Sequence, residues 1–367
     1  MKAANDQRLA IAFLLPGRGY SGGVRAGVRM AAEMQKRGHI VKLFYKNKRT
    51  PLRRCVKGLK NIIQRTPSDW VGNYAGTVQG FTTLNDQMLD WADIAISVGP
   101  DCTEDLETLD NENIVKIFHV HGLTLRNPHL KETAWKSPLL KIAVSDYVKR
   151  ELNSAGAKPI AGVIGNGIDT SEYYPEPCDQ RNGIGTVYGQ GVAKSPDTIC
   201  RTFGLLYENL ARQCEFFCFG SCPRPRDLPK FVQYHRLPTI AQARRIYSQC
   251  STWFCASRSE GFAMPLLEAM ACGCSVVTFD CGGCRDFIKD GENGLILPEA
   301  NAEKLAATIT RLIYDVPLNN YLAQNAADTA SQWTWHEVAK NMETLLWKIV
   351  SHQPKEQPVN NPFYTTV

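Results

Sequence analysis

Short apolar runs alternate with stretches of helical periodicity along this chain, in two successive series, and no other feature constrains the fold as strongly. In the first half, residues 9–15, 40–45, 94–98, 115–120 and 142–144 read as strands. Helices are expected over 24–37, closed by Gly38, and over 146–155 behind a Ser145 cap. Strands this apolar are buried on both faces, and strands that alternate with helices return parallel. A second series follows the Gly-, Pro- and Asp-bearing stretch 165–177. Its strands are 184–188, 215–219, 252–256 and 275–279, with helices at 195–210, 240–248 and 265–271. The expected fold class is α/β: two Rossmann-like domains with parallel sheets, joined near residue 170.

Several classes are excluded. No apolar run reaches the ~18 residues of a membrane-spanning helix. Lys2 and Arg8 precede an apolar run, but Pro16, Gly17, Arg18 and Gly19 follow it with no small-residue cleavage site. A cytoplasmic protein is therefore expected. The 13 cysteines are odd in number and scattered, which reads as reduced core thiols. Cys272, Cys274, Cys281 and Cys284 invite a zinc reading. However, Cys274 opens and Cys281 closes an expected strand, which separates the pairs by about 23 Å. Four ligands must lie within ~2.3 Å of one ion, so no metal is expected.

The net charge is +6, and the excess sits in residues 1–168, which hold 24 Lys+Arg against 15 Asp+Glu. Residues 46–65 carry eight basic side chains and no acidic one. Leu52, Val56, Leu59, Ile62 and Ile63 recur there at helical spacing. This is a basic amphipathic helix, suited to an anionic membrane surface or to packing on the sheet. No nucleic-acid module accompanies it, and no nucleic-acid partner is expected.

Two glycine-rich segments carry the chemistry. Gly17–Gly22 spells GxGxxG after the first strand. A dinucleotide site would want an acidic residue after the second strand, where Lys46, Asn47, Lys48 and Arg49 stand instead. Gly22 and Gly23 nevertheless open a helix, whose free N–H groups favour an anion. The stronger segment is 257–277. A strand runs into a loop bearing Glu260 and Gly261, and Pro265 suits the first turn of the next helix. The backbone N–H groups of Phe262, Ala263 and Met264 then lie at a positive helix end, able to receive a diphosphate. Glu260 and Glu268, eight residues apart, flank that end. Two carboxylates beside an anion site fit a ligand whose hydroxyls flank its diphosphate: a ribose on one side, a hexose on the other.

Glu260, Gly261-Phe262, Pro265, Glu268-Ala269-Met270-Ala271, Gly273 and Val276-Val277 resemble the signature of retaining GT-B glycosyltransferases, family 4. Gly282-Gly283 and 290–295 extend the resemblance, as do Gly165-Asn166-Gly167-Ile168-Asp169, His121, Ser21-Gly22-Gly23 and the aromatic segment 333–337. The resemblance implies a GT-B fold of two facing domains with a nucleotide-sugar in the interdomain cleft. Glu260 would contact the donor sugar, Glu268 the ribose, and Phe262, Ala263 and Met264 the diphosphate side. His121 would line the transfer site, Gly23 would sit against diphosphate or acceptor, and Lys194 would neutralise charge. Gln190 stands where that family places an arginine, with Arg258 as a candidate replacement.

These readings give an acceptor-binding domain over 1–168 and a nucleotide-sugar-binding domain over 169–335. A helix over 336–351 would cross back to the first domain, and a poorly ordered tail would occupy 352–367. The expected activity is metal-independent, retaining hexosyl transfer to a saccharide or lipid-linked acceptor, with no cofactor beyond the donor. The setting would be surface polysaccharide or glycolipid synthesis, in the cytoplasm or peripheral at the inner membrane face. A sugar-nucleotide epimerase of similar fold and a non-catalytic nucleotide-sugar-binding protein stay open.

Overall fold

The structure, a computed structural model, describes residues 8–47, 69–122, 132 and 135–352. The basic stretch lies outside the described residues except for its first two: Lys46 ends a strand, and its Nζ reaches Asp105 Oδ1 at 3.0 Å. The expected tail lies outside them beyond His352.

Two wholly parallel sheets form. The first has seven strands in the order β3-β2-β1-β4-β5-β6-β7. They are β1 (Ala10–Leu15), β2 (Ile40–Lys46), β3 (Thr77–Phe81), β4 (Ile94–Ser97), β5 (Val115–Val120), β6 (Leu140–Ala143) and β7 (Ile160–Val163). The second has six, in the order β10-β9-β8-β11-β12-β13. They are β8 (Gly183–Tyr188), β9 (Glu215–Gly220), β10 (Gln233–Arg236), β11 (Cys250–Cys255), β12 (Ser275–Phe279) and β13 (Leu295–Leu297). In both sheets the strand order reverses beside the first strand, and ligands of such sheets bind beyond the strand carboxyl ends at that switch point.

The described helices are α1 (Gly22–Lys36), α2 (Pro100–Glu107), α3 (Asp146–Ser154), α4 (Pro196–Leu210), α5 (Ile240–Gln249), α6 (Met264–Ala271), α7 (Ala302–Tyr314), α8 (Val316–Gln332) and α9 (Trp335–Ser351). Local chemistry sets their ends. Ser21 Oγ accepts from Val24 N–H at the start of α1, and Gly38, at φ +93°, turns the chain after it. Ser145 caps α3 as expected.

Side chains alternate across each sheet. Ile11, Phe13 and Leu15 join one apolar cluster, and Ala12 and Leu14 another on the opposite face. Trp253 and Val276 likewise face one way in the second sheet, while Phe254 and Val277 face the other. One cluster runs across the domain boundary, joining Phe118, Val120 and Val148 to Phe262 and Leu266.

The chain crosses between domains twice, side by side. Ile168 N–H donates to the Trp333 carbonyl at 2.7 Å, and Trp335 N–H donates to the Ile168 carbonyl at 3.2 Å. Helix α9 then packs on α1 and β7, and its Val338, Ala339, Met342 and Leu346 enter the same cluster as Ile11 and Phe13. Glu343 of α9 accepts from Arg37 Nε at 2.7 Å and lies 3.0 Å from His39 Nε2.

Candidate active site between the domains

The loop after β11 is held from three sides. Glu260 N–H donates to the Cys281 carbonyl at 2.8 Å, and Gly283 N–H to the Glu260 carbonyl at 3.1 Å. Arg258 N–H donates to the Ala193 carbonyl at 2.8 Å, tying this loop to the one after β8. Lys194 Nζ then reaches Glu260 Oε1 at 2.5 Å across the switch point of the second sheet. Burial alone would disfavour the Lys194 ammonium, but the charge and hydrogen bond of Glu260 outweigh it and hold its pKa above the usual lysine value.

Helix α6 begins immediately beyond. Its N-cap, Ala263, is left-handed at φ 64°, ψ 46°, a conformation that costs an L-residue roughly 1–2 kcal/mol. Pro265 occupies the first turn. The Phe262 ring is buried among Phe287 and Trp333, with centroids at 5.2 and 5.5 Å. Only its backbone is therefore suited to a ligand. Met264 is half-buried and packs against the core clusters of both domains.

The first domain closes directly on this loop. A Cβ added at Gly261 would lie 2.1 Å from the His121 carbonyl oxygen, so only glycine allows this approach. Gly23 backs onto the His121 side chain, with a Cβ position 3.6 Å from His121 Cβ. Tyr147 Oη and Ser259 Oγ are 3.2 Å apart, and Asp146 N–H donates to Asp286 Oδ2 at 3.0 Å. The two domains touch at the sequence-expected cleft. A cavity of about 320 Å³ lies elsewhere on their seam, lined by Ile164, Gly165, Trp333, Asp286 and Glu337.

His119, on β5, and His121, just beyond the end of that strand, have ring centroids 4.1 Å apart. Burial lowers His119 to about 4, against a 3.3 Å hydrogen bond with the Ile164 carbonyl that favours the charged form. Burial and the neighbouring His119 push His121 well below the usual value, so His121 enters the site as a neutral imidazole. Between pH 6.5 and 4 an unfolded His119 binds a proton that the folded one refuses, so stability rises with pH across that window. Acidification from pH 7 to 4 should remove about 3 kcal/mol through His119 alone. Urea unfolding at several pH values checks this: His119→Gln should flatten the dependence, and an unchanged slope would refute it.

Glu268 lies one turn into α6 and is only 4% exposed. Its Oε1 accepts from Arg25 Nη2 of α1, and its Oε2 from Tyr247 Oη at 2.9 Å. Arg25 and Tyr247 were not expected from the sequence. Arg25 follows the Gly22-Gly23 pair that sequence reading singled out, but a partner 243 positions away leaves no local trace. The structure thus gathers Lys194, Glu260, Gly261, Phe262, Ala263, Met264, His121 and Gly23 at facing strand ends. Gln190 and Arg258 are exposed residues on the two flanking loops. Among the described residues no group of three or more His, Cys, Asp or Glu side chains is arranged to hold a metal ion. Cys272 and Cys274 belong to the buried core, where burial raises both thiols, Cys274 to about 11. Among the described residues no helix is long and apolar enough to cross a membrane.

Residues 228–329 match the sequence family described as Glycosyl transferases group 1. An N,N'-diacetylbacillosaminyl-diphospho-undecaprenol alpha-1,3-N-acetylgalactosaminyltransferase of Campylobacter jejuni is 31% identical over 118 residues, covering 32% of this chain and 31% of that protein. An uncharacterised glycosyltransferase of Methanocaldococcus jannaschii is 34% identical over 206 residues, 53% of this chain and 56% of that one. The chain therefore spans about a third to just over half the length of these relatives. The crystal structure of Anabaena HepE in complex with UDP-glucose superimposes with a TM-score of 0.74 at 16% identity, over 93% of this chain and all of that one. The chain thus has the GT-B fold, and the match to the group 1 glycosyl transferases falls within its second half, at residues 228–329.

Proposed function

We propose that this protein is a retaining, metal-independent glycosyltransferase of family 4 type, moving a hexosyl group from a nucleotide-sugar to an acceptor hydroxyl. The observation that carries the reading is the Lys194–Glu260 pair at the mouth of α6. A cation, a carboxylate and a helix N-terminus converge there, matching the charge and hydroxyls of a sugar diphosphate. As donor binds, Lys194 turns to the diphosphate and Glu260 to the sugar hydroxyls. The N–H groups at the start of α6 meet the phosphate oxygens, and Glu268 faces the ribose. The C1–O bond to phosphate breaks while the acceptor oxygen bonds C1 on the same face. The acceptor proton passes to the leaving phosphate oxygen, whose developing charge Lys194 and the helix end stabilise. Neutral His121 lines this space from the first domain. Domain closure limits hydrolysis of the donor.

A lipid-linked or saccharide acceptor, in polysaccharide or glycolipid synthesis, is supported by the undecaprenol-linked substrate in the name of the Campylobacter relative. The exposed, uncharged Gln190 favours a second reading, nucleotide-sugar binding without turnover. Calorimetric titration with ribonucleoside diphosphates, followed by a transfer and donor-hydrolysis assay, separates the two. Lys194→Gln should weaken diphosphate binding about 10–100-fold and leave binding of the bare nucleoside within threefold. Equal loss for both ligands would remove Lys194 from the diphosphate site.

A further inference from the structure

We propose that Arg25 is a specificity-determining residue of the donor site: it occupies Glu268 from across the domain boundary, so the donor ribose must compete with it. This inference rests on the nucleotide-sugar reading above. Glu268 is almost fully enclosed, and each of its oxygens already accepts a hydrogen bond. The Tyr247 contact comes from within the second domain, but the Arg25 contact is a charged bridge from the first. Arg25 is itself held in place. Its Nη1 lies 3.4 Å from Tyr173 Oη, and its guanidinium sits 5.4 Å from the Trp70 ring centroid and 6.0 Å from that of Tyr173.

One turn further along α1, Arg29 makes the same kind of bridge, to Asp169 Oδ2 at 3.3 Å and to the Glu172 carboxylate. Helix α1 therefore presents two cations, four residues apart, to three carboxylates on the second-domain side of the crossover. Asp169 and Glu172 lie outside the site. Glu268 alone has both roles, as interdomain ion-pair partner and as hydroxyl acceptor beside the anion site. Ribose hydroxyls that bond Glu268 must displace the guanidinium, and parting Arg25 from Glu268 loosens α1 from α6. Ribose recognition thus replaces one interdomain bridge, while the Arg29 bridges and the contact of Gly261 with His121 keep the domains together over the donor.

The test is calorimetric titration of the full chain, its Arg25→Ala and Arg25→Gln variants, and Lys194→Gln. The ligands are matched ribonucleoside and 2′-deoxyribonucleoside diphosphates. The ratio of the two affinities isolates Glu268, because the loss of a cation near the diphosphate affects both ligands alike. Both Arg25 variants should raise the preference for the ribonucleotide at least fivefold, with lower thermal stability. The Gln variant keeps a polar side chain of similar length should the Ala variant not fold. A ratio unchanged or lowered in folded Arg25→Gln, with the parent binding normally, overturns the competition and leaves the nucleotide reading intact. If neither parent nor variants bind any of these ligands, the nucleotide reading itself falls, and the inference with it.

Discussion

Glu260→Gln should reduce sugar transfer by about 100–1000-fold, the range found when one preorganised polar contact to a transition state is removed. The substitution keeps the shape of the side chain and removes its charge. In the proposed reaction the sugar gains positive character at C1 as the phosphate departs, so a carboxylate on its hydroxyls strengthens its hold toward the transition state. Glu260 is suited to that task because the backbone on both sides of it is fixed, by Cys281 and by Gly283. Its partner Lys194 is 41% exposed in its side chain and remains hydrated when the carboxylate is neutralised. The Glu260 side chain is only 15% exposed, so losing the pair should lower stability modestly, and circular dichroism shows whether the variant is folded when its rate is read. Initial-rate assays with saturating donor check the prediction. Turnover within tenfold of the parent would show that Glu260 does not touch the reacting sugar.

Gly261→Ala should be comparably damaging for a different reason. The added methyl would lie 2.1 Å from a backbone oxygen, that of His121, which cannot swing aside as a flexible side chain would. The clash is between domains, so the molecule relieves it by parting them at this contact, and the strands within each sheet stay paired. In the proposed reaction the reacting groups of donor and acceptor are carried by opposite domains, and misplacement by about 1 Å can cost 100-fold in rate. Transfer should fall about 100-fold or more, while donor binding to the second domain stays within a few-fold and the circular dichroism is that of the parent. A variant with full transfer activity would show that the His121–Gly261 contact is not part of the reacting arrangement.

The central strands and the start of α6 were legible in the sequence because their signals are local. A strand buried on both faces reads as a mainly apolar run, unbroken in β1 and carried by Val276, Val277 and Phe279 in β12, and Pro265 marks a helix start through its own covalent structure. The edge strands were not. In β10, Gln233 and the last two residues are exposed, and in β3 exposed positions alternate with half-buried ones, so neither presents an apolar run. The expected strand at 142–144 begins two residues earlier, at Leu140. The helix expected from Ser195 begins at Pro196, because Ser195 is left-handed at φ 48°.

Within the site, residue types and spacings pointed to Glu260, Lys194 and the helix end. The bond between Lys194 and Glu260, the left-handed Ala263 and the contact of Gly261 with His121 depend on how two sheets meet, which no window of sequence contains. The hold of Arg25 on Glu268 was hidden for the same reason. From sequence Glu268 reads as a carboxylate free to meet a ligand, and only the packing of α1 against the second domain shows that it is already engaged.

The return of α9 to the first sheet has a consequence for biosynthesis. The face of β1 that carries Ile11 and Phe13 leaves the ribosome roughly 300 residues before the Val338, Met342 and Leu346 side chains that cover it. At about 5–20 residues per second, the segment between the two crossings takes roughly 10–30 s to make. During that interval the nascent first half exposes a greasy surface, while the second half can complete its own sheet. The half translated first is thus the last to be finished, and a premature stop before Trp335 would release a chain whose earlier domain lacks its cover.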